Sequence, residues 1–340
     1  MSRERLKVLV LADSRAFHTA RYVGELRRQG CQVVLASMER GSVLHYQLKS
    51  RGPIRSLWYT MAATELRSLI KRFQPDVINP HFVSGYGFMA ALAQARRFAP
   101  VVTTLWGSDV LLVPQKSMFH KRKTAFALNQ SDFVLGDSEY LLAAAEKLSP
   151  LKGSKVIYWG IEERFLAHHR NSYALGHPLK IIVPRQHEKV YNNEFIVQAL
   201  SPLIVDGKVQ ITFPSFGGMA GHFRLISKGL VGDSIQFYDK LPRASFLKFM
   251  AGHDVYLSSA ISDSSPVSLI EAMALGLIPV AADIPGVREW LNKDTGFPYE
   301  LYNRRQLYDT IALLVESGNN CEAMRRQNLV HVRTVALFEK

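Results

Sequence analysis

Two carboxylates, Asp263 and Glu271, enclose the run Ser264-Ser265-Pro266-Val267-Ser268-Leu269-Ile270. Ser265 is a good helix N-cap, and Pro266 suits the first helical position. A helix starting there turns its free N–H groups and the positive end of its dipole toward the Asp263 turn, which makes an anion site that needs no metal. Glu271 then lies roughly 7.5 Å along the axis from Pro266 at the helical rise. That is the offset between the pyrophosphate and the ribose of one nucleotide. Gly276 can close the helix as a left-handed cap, and Leu277–Ala281 reads as a buried strand. On spacing alone the same run is also an ordinary helix–strand unit with Ser-Ser-Pro as plain capping, and both readings stay open.

A second set of charges follows another strand. Lys180–Val183 leads into Pro184-Arg185-Gln186-His187-Glu188-Lys189. Arg185 can bridge two phosphate oxygens and Lys189 can supply a point charge, although a loop with two exposed cations fits the composition as well. Nearer the N-terminus, polar residues sit where strands should end: Ser14 and His18 after Lys7–Leu11, His81 after Asp76–Asn79, and Asp109 after Val101–Leu105. A histidine at a strand end is often structural, and helix capping would explain Asp109 equally well. Phe216-Gly217-Gly218-Met219, with Gly221, reads as a mobile Gly-rich turn and a weak phosphate signal.

These residues need a frame to position them. Short β-rich runs alternate with helical patterns: strands at Lys7–Leu11, Gln32–Ala36, Asp76–Asn79, Val101–Leu105, Phe133–Leu135 and Val156–Tyr158, helices between them. Residues 160–178 are polar and irregular and read as a link. Alternation then resumes with strands at Lys180–Val183, Gln210–Phe213, Ser234–Phe237, Val255–Leu257 and Leu277–Ala281. The fold class is α/β, with two Rossmann-like doubly wound domains facing a cleft: residues 1–165 and residues 175–325. Residues 326–340 are expected to form a C-terminal helix returning to the first domain. Ligands of such sheets bind at the carboxyl ends of the strands.

The chain of 340 residues is long enough for two full cores. Its two cysteines argue against a disulfide framework and suit a reducing cytosol. No signal-peptide core follows the N-terminus and no run approaches a spanning helix, so a cytoplasmic protein is expected. Residues 1–170 hold 25 Lys+Arg and 13 Asp+Glu, so they carry nearly all of the net charge of +13. Clusters at Arg51, Arg55, Arg67, Lys71 and Arg72, and at Lys116, Lys121, Arg122 and Lys123, suggest a polyanionic partner. Nucleic acid is not expected, because no finger, RNP-type motif or Arg-rich tail occurs. An anionic membrane surface or a lipid-linked phosphate fits better.

The carboxylate spacing, the run Glu271-Ala272-Met273-Ala274-Leu275-Gly276-Leu277-Ile278-Pro279-Val280 and the segment Asp283-Ile284-Pro285-Gly286-Val287-Arg288-Glu289-Trp290 resemble the family 4 retaining glycosyltransferases. Asp263 stands where that family usually has Glu, a variant associated with bacterial surface-polysaccharide members. Ser264-Ser265 replaces a common Phe-Gly. Arg185 resembles the family's Gly-Arg arginine and Lys189 the lysine that follows it. Asp76–His81 resembles an Asp-Val-x-x-x-His motif, and Thr103–Asp109 resembles a Thr-x-His-Gly-x-Asp loop with Trp106 in place of His. The resemblance implies a GT-B enzyme that moves a sugar from a nucleotide sugar, with uracil the most frequent base, to a glycan or lipid-diphosphate-linked acceptor in polysaccharide or lipopolysaccharide synthesis. Glu271 would bind the ribose and Asp263 the transferred sugar. The backbone of Ser264, Ser265, Pro266, Val267, Ser268 and Leu269, with Arg185 and Lys189, would hold the diphosphate. Ser14, His18, His81 and Asp109 would face the acceptor. No Asp-x-Asp pair occurs, so no metal or other cofactor is expected, and the enzyme would work at the inner face of the cytoplasmic membrane. A non-hydrolysing sugar-nucleotide epimerase and a non-catalytic nucleotide-sugar-binding subunit remain the alternatives.

Overall fold

A computed structural model describes residues 5–49, 55–170 and 172–339, without the side chains of residues 55–57. Arg51 of the first basic cluster lies outside the described residues. The chain divides into two compact units, Met1–Ile157 and Tyr158–Lys340.

The first unit runs β1 (Lys7–Leu11), α1 (Phe17–Arg28), β2 (Gln32–Ser37), β3 (Tyr46–Gln47), α2 (Arg55–Phe73), β4 (Val77–Pro80), α3 (Phe88–Leu92), β5 (Val102–Thr104), α4 (Ser108–Leu111), α5 (Met118–Asn129), β6 (Phe133–Gly136), α6 (Glu139–Glu146) and β7 (Ser154–Val156). All pairings are parallel, in the order β3-β2-β1-β4 and β5-β6-β7. Parallel bridges Ile78↔Val101 and His81↔Thr104 join the two sheets. The apolar run of β1 is read on both faces, as a doubly covered sheet requires. Leu9 and Leu11 pack with α2 and α3, and Val8 and Val10 pack with Val23 of α1. The helical stretch between β4 and β5 is broken in three. A π-turn, Phe82–Gly87, precedes α3, and Gln94 adopts φ 54° before a short 3₁₀ turn.

The second unit runs β8 (Leu179–Ile182), α7 (Asn193–Val205), β9 (Val209–Pro214), α8 (Ala220–Val231), β10 (Gln236–Tyr238), α9 (Arg243–Ala251), β11 (Val255–Ser258), α10 (Val267–Leu275), β12 (Ile278–Ala282), α11 (Pro285–Arg288), β13 (Phe297–Tyr299), α12 (Arg304–Ser317) and α13 (Glu322–Val335). The order β10-β9-β8-β11-β12-β13 is all parallel and reverses between β8 and β11. That is the doubly wound pattern, with its switch point at those two strands. Ile181 packs with α7, α8 and α12 on one face, while Ile182 and Tyr256 pack with α9 and α10 on the other. Residues 216–219 form the turn expected from their glycines, while Gly221 lies inside the helix that follows. Gly217, at φ 128°, brings the turn against the backbone of His187, and a twelve-residue helix follows at once.

The segment read as a link belongs to the second unit, since the first unit ends at Ile157, eight residues before the expected end at 165. Tyr158 meets Trp290 edge-on with centroids 4.7 Å apart. Phe165 and Leu166 are core residues, and Arg170 pairs with Asp254 at 2.9 Å. Trp159 is buried. Ile161 N–H donates to Ala336 O at 3.0 Å and Phe338 N–H returns to Ile161 O at 3.0 Å. Gly160, at φ 49°, leaves no room for a Cβ against Ala336. The C-terminal helix packs on α10, within its own unit. Arg325 of that helix is fully buried. It donates to the carbonyls of Gly276 (2.5 Å), Tyr173 (2.9 Å) and Asn320 (3.0 Å). Arg325→Leu removes all three donors at once, and we expect urea unfolding followed by circular dichroism to show a loss of about 3 kcal/mol or more.

Candidate functional site

The loops after β8 and β11 lie side by side at the switch point of the second sheet, and they carry Arg185 and Asp263. The two side chains form a short, largely buried ion pair. Burial works most strongly against the Arg185 cation, but Asp263 together with the Tyr256 and Tyr191 hydroxyls outweighs it and holds the guanidinium pKa above its ordinary value. Its guanidinium carbon also lies 5.1 Å from the Tyr191 ring centroid. The other carboxylate oxygen of Asp263 accepts the Ser264 N–H at 2.9 Å.

The helix beyond this turn starts one residue later than expected. Pro266 is the cap, and α10 begins at Val267. Ser265 is therefore not the N-cap: its hydroxyl instead accepts the indole N–H of Trp290 at 3.0 Å, deep in the core. The Pro-Gly of α11 fits the same turn, because Gly286 lies so close to the carbonyls of Asp263 and Ser264 that a Cβ would collide with both. Of the anticipated donor-contacting residues, Ser264, Ser265 and Pro266 are buried, Val267 and Ser268 are half-buried, and Leu269 is a core side chain. Ser268 Oγ lies 3.2 Å from the Tyr256 hydroxyl. The first amides of α10 have no carbonyl of their own helix to meet. Lys189 is exposed and lines a cavity of about 180 Å³ with His187, Asn193 and Phe223.

Glu271 is buried, its side chain 5% exposed, and Arg243 Nη1 donates to its Oε1 at 2.5 Å. Arg243 also takes the Glu162 carboxylate on its other edge, from Nη2 at 2.8 Å and from Nε at 3.0 Å. Burial lowers the Arg243 pKa, but Glu271 and Glu162 raise it more. Neither Arg243 nor Glu162 was anticipated. They lie 28 and 109 positions from Glu271 in the chain, and no local pattern links the three.

In the first unit the structure brings His18, His81 and Trp106 together at the β1–β4 switch point. The centroids of both histidines lie within 5.7 Å of the Trp106 ring, and Tyr22 covers His81 at 4.8 Å. His81 is buried, and burial pushes its pKa down to about 3. Its Nε2 lies 3.0 Å from Asn79 Oδ1, and the Asn79 amide donates to Val102 O and Thr104 Oγ1, so the proton belongs on Nε2 of a neutral ring. Asp109 is fully buried and accepts the N–H groups of Val83 (2.7 Å) and Trp106 (3.0 Å). Burial raises its pKa to about 6 against those hydrogen bonds. Ser14 stands apart, also buried, donating from Oγ to Glu39 O at 2.7 Å and from its N–H to Ser37 Oγ at 3.1 Å. Only His18 of the four expected acceptor-side residues is partly accessible. Among the described residues no group of three or more His, Cys, Asp or Glu could hold a metal ion, and no helix is long and apolar enough to cross a membrane.

The two units match two sequence families. Residues 7–138 match Glycosyl transferase 4-like, and residues 220–329 match Glycosyl transferases group 1. Together the matches take in more than two thirds of the chain, which belongs to the family 4-like glycosyltransferases of GT-B type. The fold is shared with a glycosyltransferase from Rickettsia africae ESF-5 at 16% identity, covering 98% of this chain and 95% of that one with a TM-score of 0.79. It is shared too with Anabaena Alr3699/HepE, solved in complex with UDP-glucose, at 15% identity, 98% and 96% coverage and a TM-score of 0.80. The lipopolysaccharide outer core galactosyltransferase WaaB follows at 12% identity, 97% and 99% coverage and 0.67. No curated protein sequence matches the chain. The family makes the chain a glycosyltransferase, in preference to an epimerase or an inert binding module.

The Asp109 carboxyl gives a test of the first-unit geometry. Its folded pKa is raised above the unfolded value, so its stabilising effect is fully present below about 3.8 and is lost as pH rises through about 6. Asp109→Asn does not titrate. Its destabilisation relative to the parent, measured by urea titration, should be larger at pH 4 than at pH 7 by up to about 3 kcal/mol.

Proposed function

We propose that this glycosyltransferase transfers a sugar from a UDP-linked donor with retention of anomeric configuration and without a metal ion. The observation that carries the reading is the Arg185–Asp263 pair at the second-unit switch point, directly before the N-terminus of α10. Arg185 and the first amides of α10 receive the diphosphate, with Lys189 contributing from the neighbouring loop. An arginine released from Asp263 by a phosphate keeps its charge neutralised throughout, so donor binding exchanges one anion for another. Asp263 is then available to hydroxyls of the transferred sugar, and Glu271 to those of the ribose. Charge builds on the leaving diphosphate as the glycosidic bond breaks, and fixed cations and amide dipoles stabilise it there. The departing phosphate oxygen takes the acceptor's proton on the same face, so positioning replaces an enzymic nucleophile. HepE, crystallised with UDP-glucose, supports the choice of nucleotide.

On the acceptor side the reading rests on His18, with His81, Asp109 and Ser14 shaping the loops around it. A glycan or lipid-diphosphate-linked acceptor of surface-polysaccharide or lipopolysaccharide synthesis is proposed, in line with the likeness to WaaB. Docking on the anionic inner face of the cytoplasmic membrane is supported by α5, which exposes Met118 and Phe119 beside the exposed Lys121 and Arg122.

Incubated with UDP-sugars in EDTA, the protein should slowly release UDP. Arg185→Ala should lower that release on the order of 10²-fold, and an undiminished rate would remove the arginine from the mechanism. In co-sedimentation at low salt the protein should prefer vesicles containing anionic lipid. Replacing Met118 and Phe119 with Ser should weaken pelleting, and equal binding to neutral vesicles would sink the membrane assignment.

A further inference from the structure

The geometry points to Arg243 as the residue that positions Glu271, with Glu162 as the anchor that positions Arg243. This rests on the reading of Glu271 as the ribose-binding carboxylate. A carboxylate this deep in a core is tolerated only beside a cation that also hydrogen-bonds it. Arg243 supplies that cation from the first position of α9. The guanidinium is planar, and its edges are divided between two acids. Nη1 meets Glu271, while Nη2 and Nε share Oε2 of Glu162 and Nε also reaches its Oε1 at 3.2 Å, a forked grip along one edge. A fork fixes the plane of the group, so Glu162 determines where Nη1 points and thereby pins Oε1 of Glu271. Glu162 in turn sits on a segment held by the backbone pairing of Ile161 with Ala336 and Phe338.

The Arg243 guanidinium is thus divided between two carboxylates. A diol offers two O–H donors to such a group without adding charge, and a carboxylate with one oxygen pinned keeps a fixed orientation toward them. The positioning therefore selects ribose over a sugar lacking the hydroxyls, and leaves the diphosphate contacts untouched.

The test is calorimetric binding of UDP and of 2′,3′-dideoxyuridine diphosphate to the full chain. The parent protein should prefer UDP by about tenfold to a hundredfold, the effect of hydrogen bonds to a charged group. Arg243→Gln should bring that ratio close to one and change dideoxy affinity less than about threefold. In a Glu271→Gln background it should change the ratio no further, whereas a residue of merely structural effect would weaken both ligands alike. Glu162→Gln, which keeps the Arg243–Glu271 contact, should reduce the ratio several-fold and serves if Arg243→Gln does not fold. A parent ratio near one would overturn both this inference and the ribose role of Glu271. A strong parent preference that survives in Arg243→Gln, or in Glu162→Gln where the former does not fold, would overturn the positioning role alone.

Discussion

Almost every feature of the second unit follows from α10 being a helix with hardly any solvent side. Seven of its nine residues are buried, between β11 and β12 beneath it and α9 and α13 around it. A helix so enclosed cannot rotate or slide without opening a core, since interiors are packed like crystals. Its N-terminus is thereby fixed beside the turn that carries Asp263. Its one acid has to point into protein and so must be supplied with a cation from elsewhere. The fixed positions of the amide dipoles and of both acids are consequences of packing.

Charge is handled differently in the two units. In the second, buried acids meet buried arginines: Asp263 with Arg185, Glu271 and Glu162 with Arg243, Asp254 with Arg170. Pairs of this kind contribute little net stability against desolvation, but removing one member is costly. The arrangement is therefore better suited to fixing groups in place than to holding the fold together. In the first unit the buried polar residues at the strand ends meet neutral groups and backbone amides. His81 is held neutral, and Asp109 is satisfied by backbone N–H groups. His81 stays uncharged, whereas Asp109 ionises as pH rises through about 6, so the charge at this loop depends on pH.

The frame was largely legible because parallel, doubly covered strands write continuous apolar runs, as Val8–Leu11 and Val255–Leu257 do. The switch-point residues Arg185 and Asp263 were legible because strand ends and capping signals are local. What escaped was non-local or carried misleading local chemistry. Arg243 and Glu162 meet Glu271 only through tertiary packing. Gly221 read as part of the turn made by Gly217 and Gly218, although the helix has already started at Ala220. Ser265 has the chemistry of a cap, but Trp290, 25 residues away, takes its hydroxyl. The two-residue β3 and three-residue β13 are too short to leave a periodic signal.

The pairing of Ile161 with Ala336 and Phe338 places the first and last described stretches of the second unit against each other. Such a unit behaves topologically as a ring with its clasp closed. Its cut point is a matter of genetic convenience more than of packing, so circular permutants opened at exposed turns, or insertion of the whole cassette into a host loop, ask for only a short splice at the clasp. Exchanging this unit for another of the same architecture is correspondingly undemanding, because both seams fall at one place.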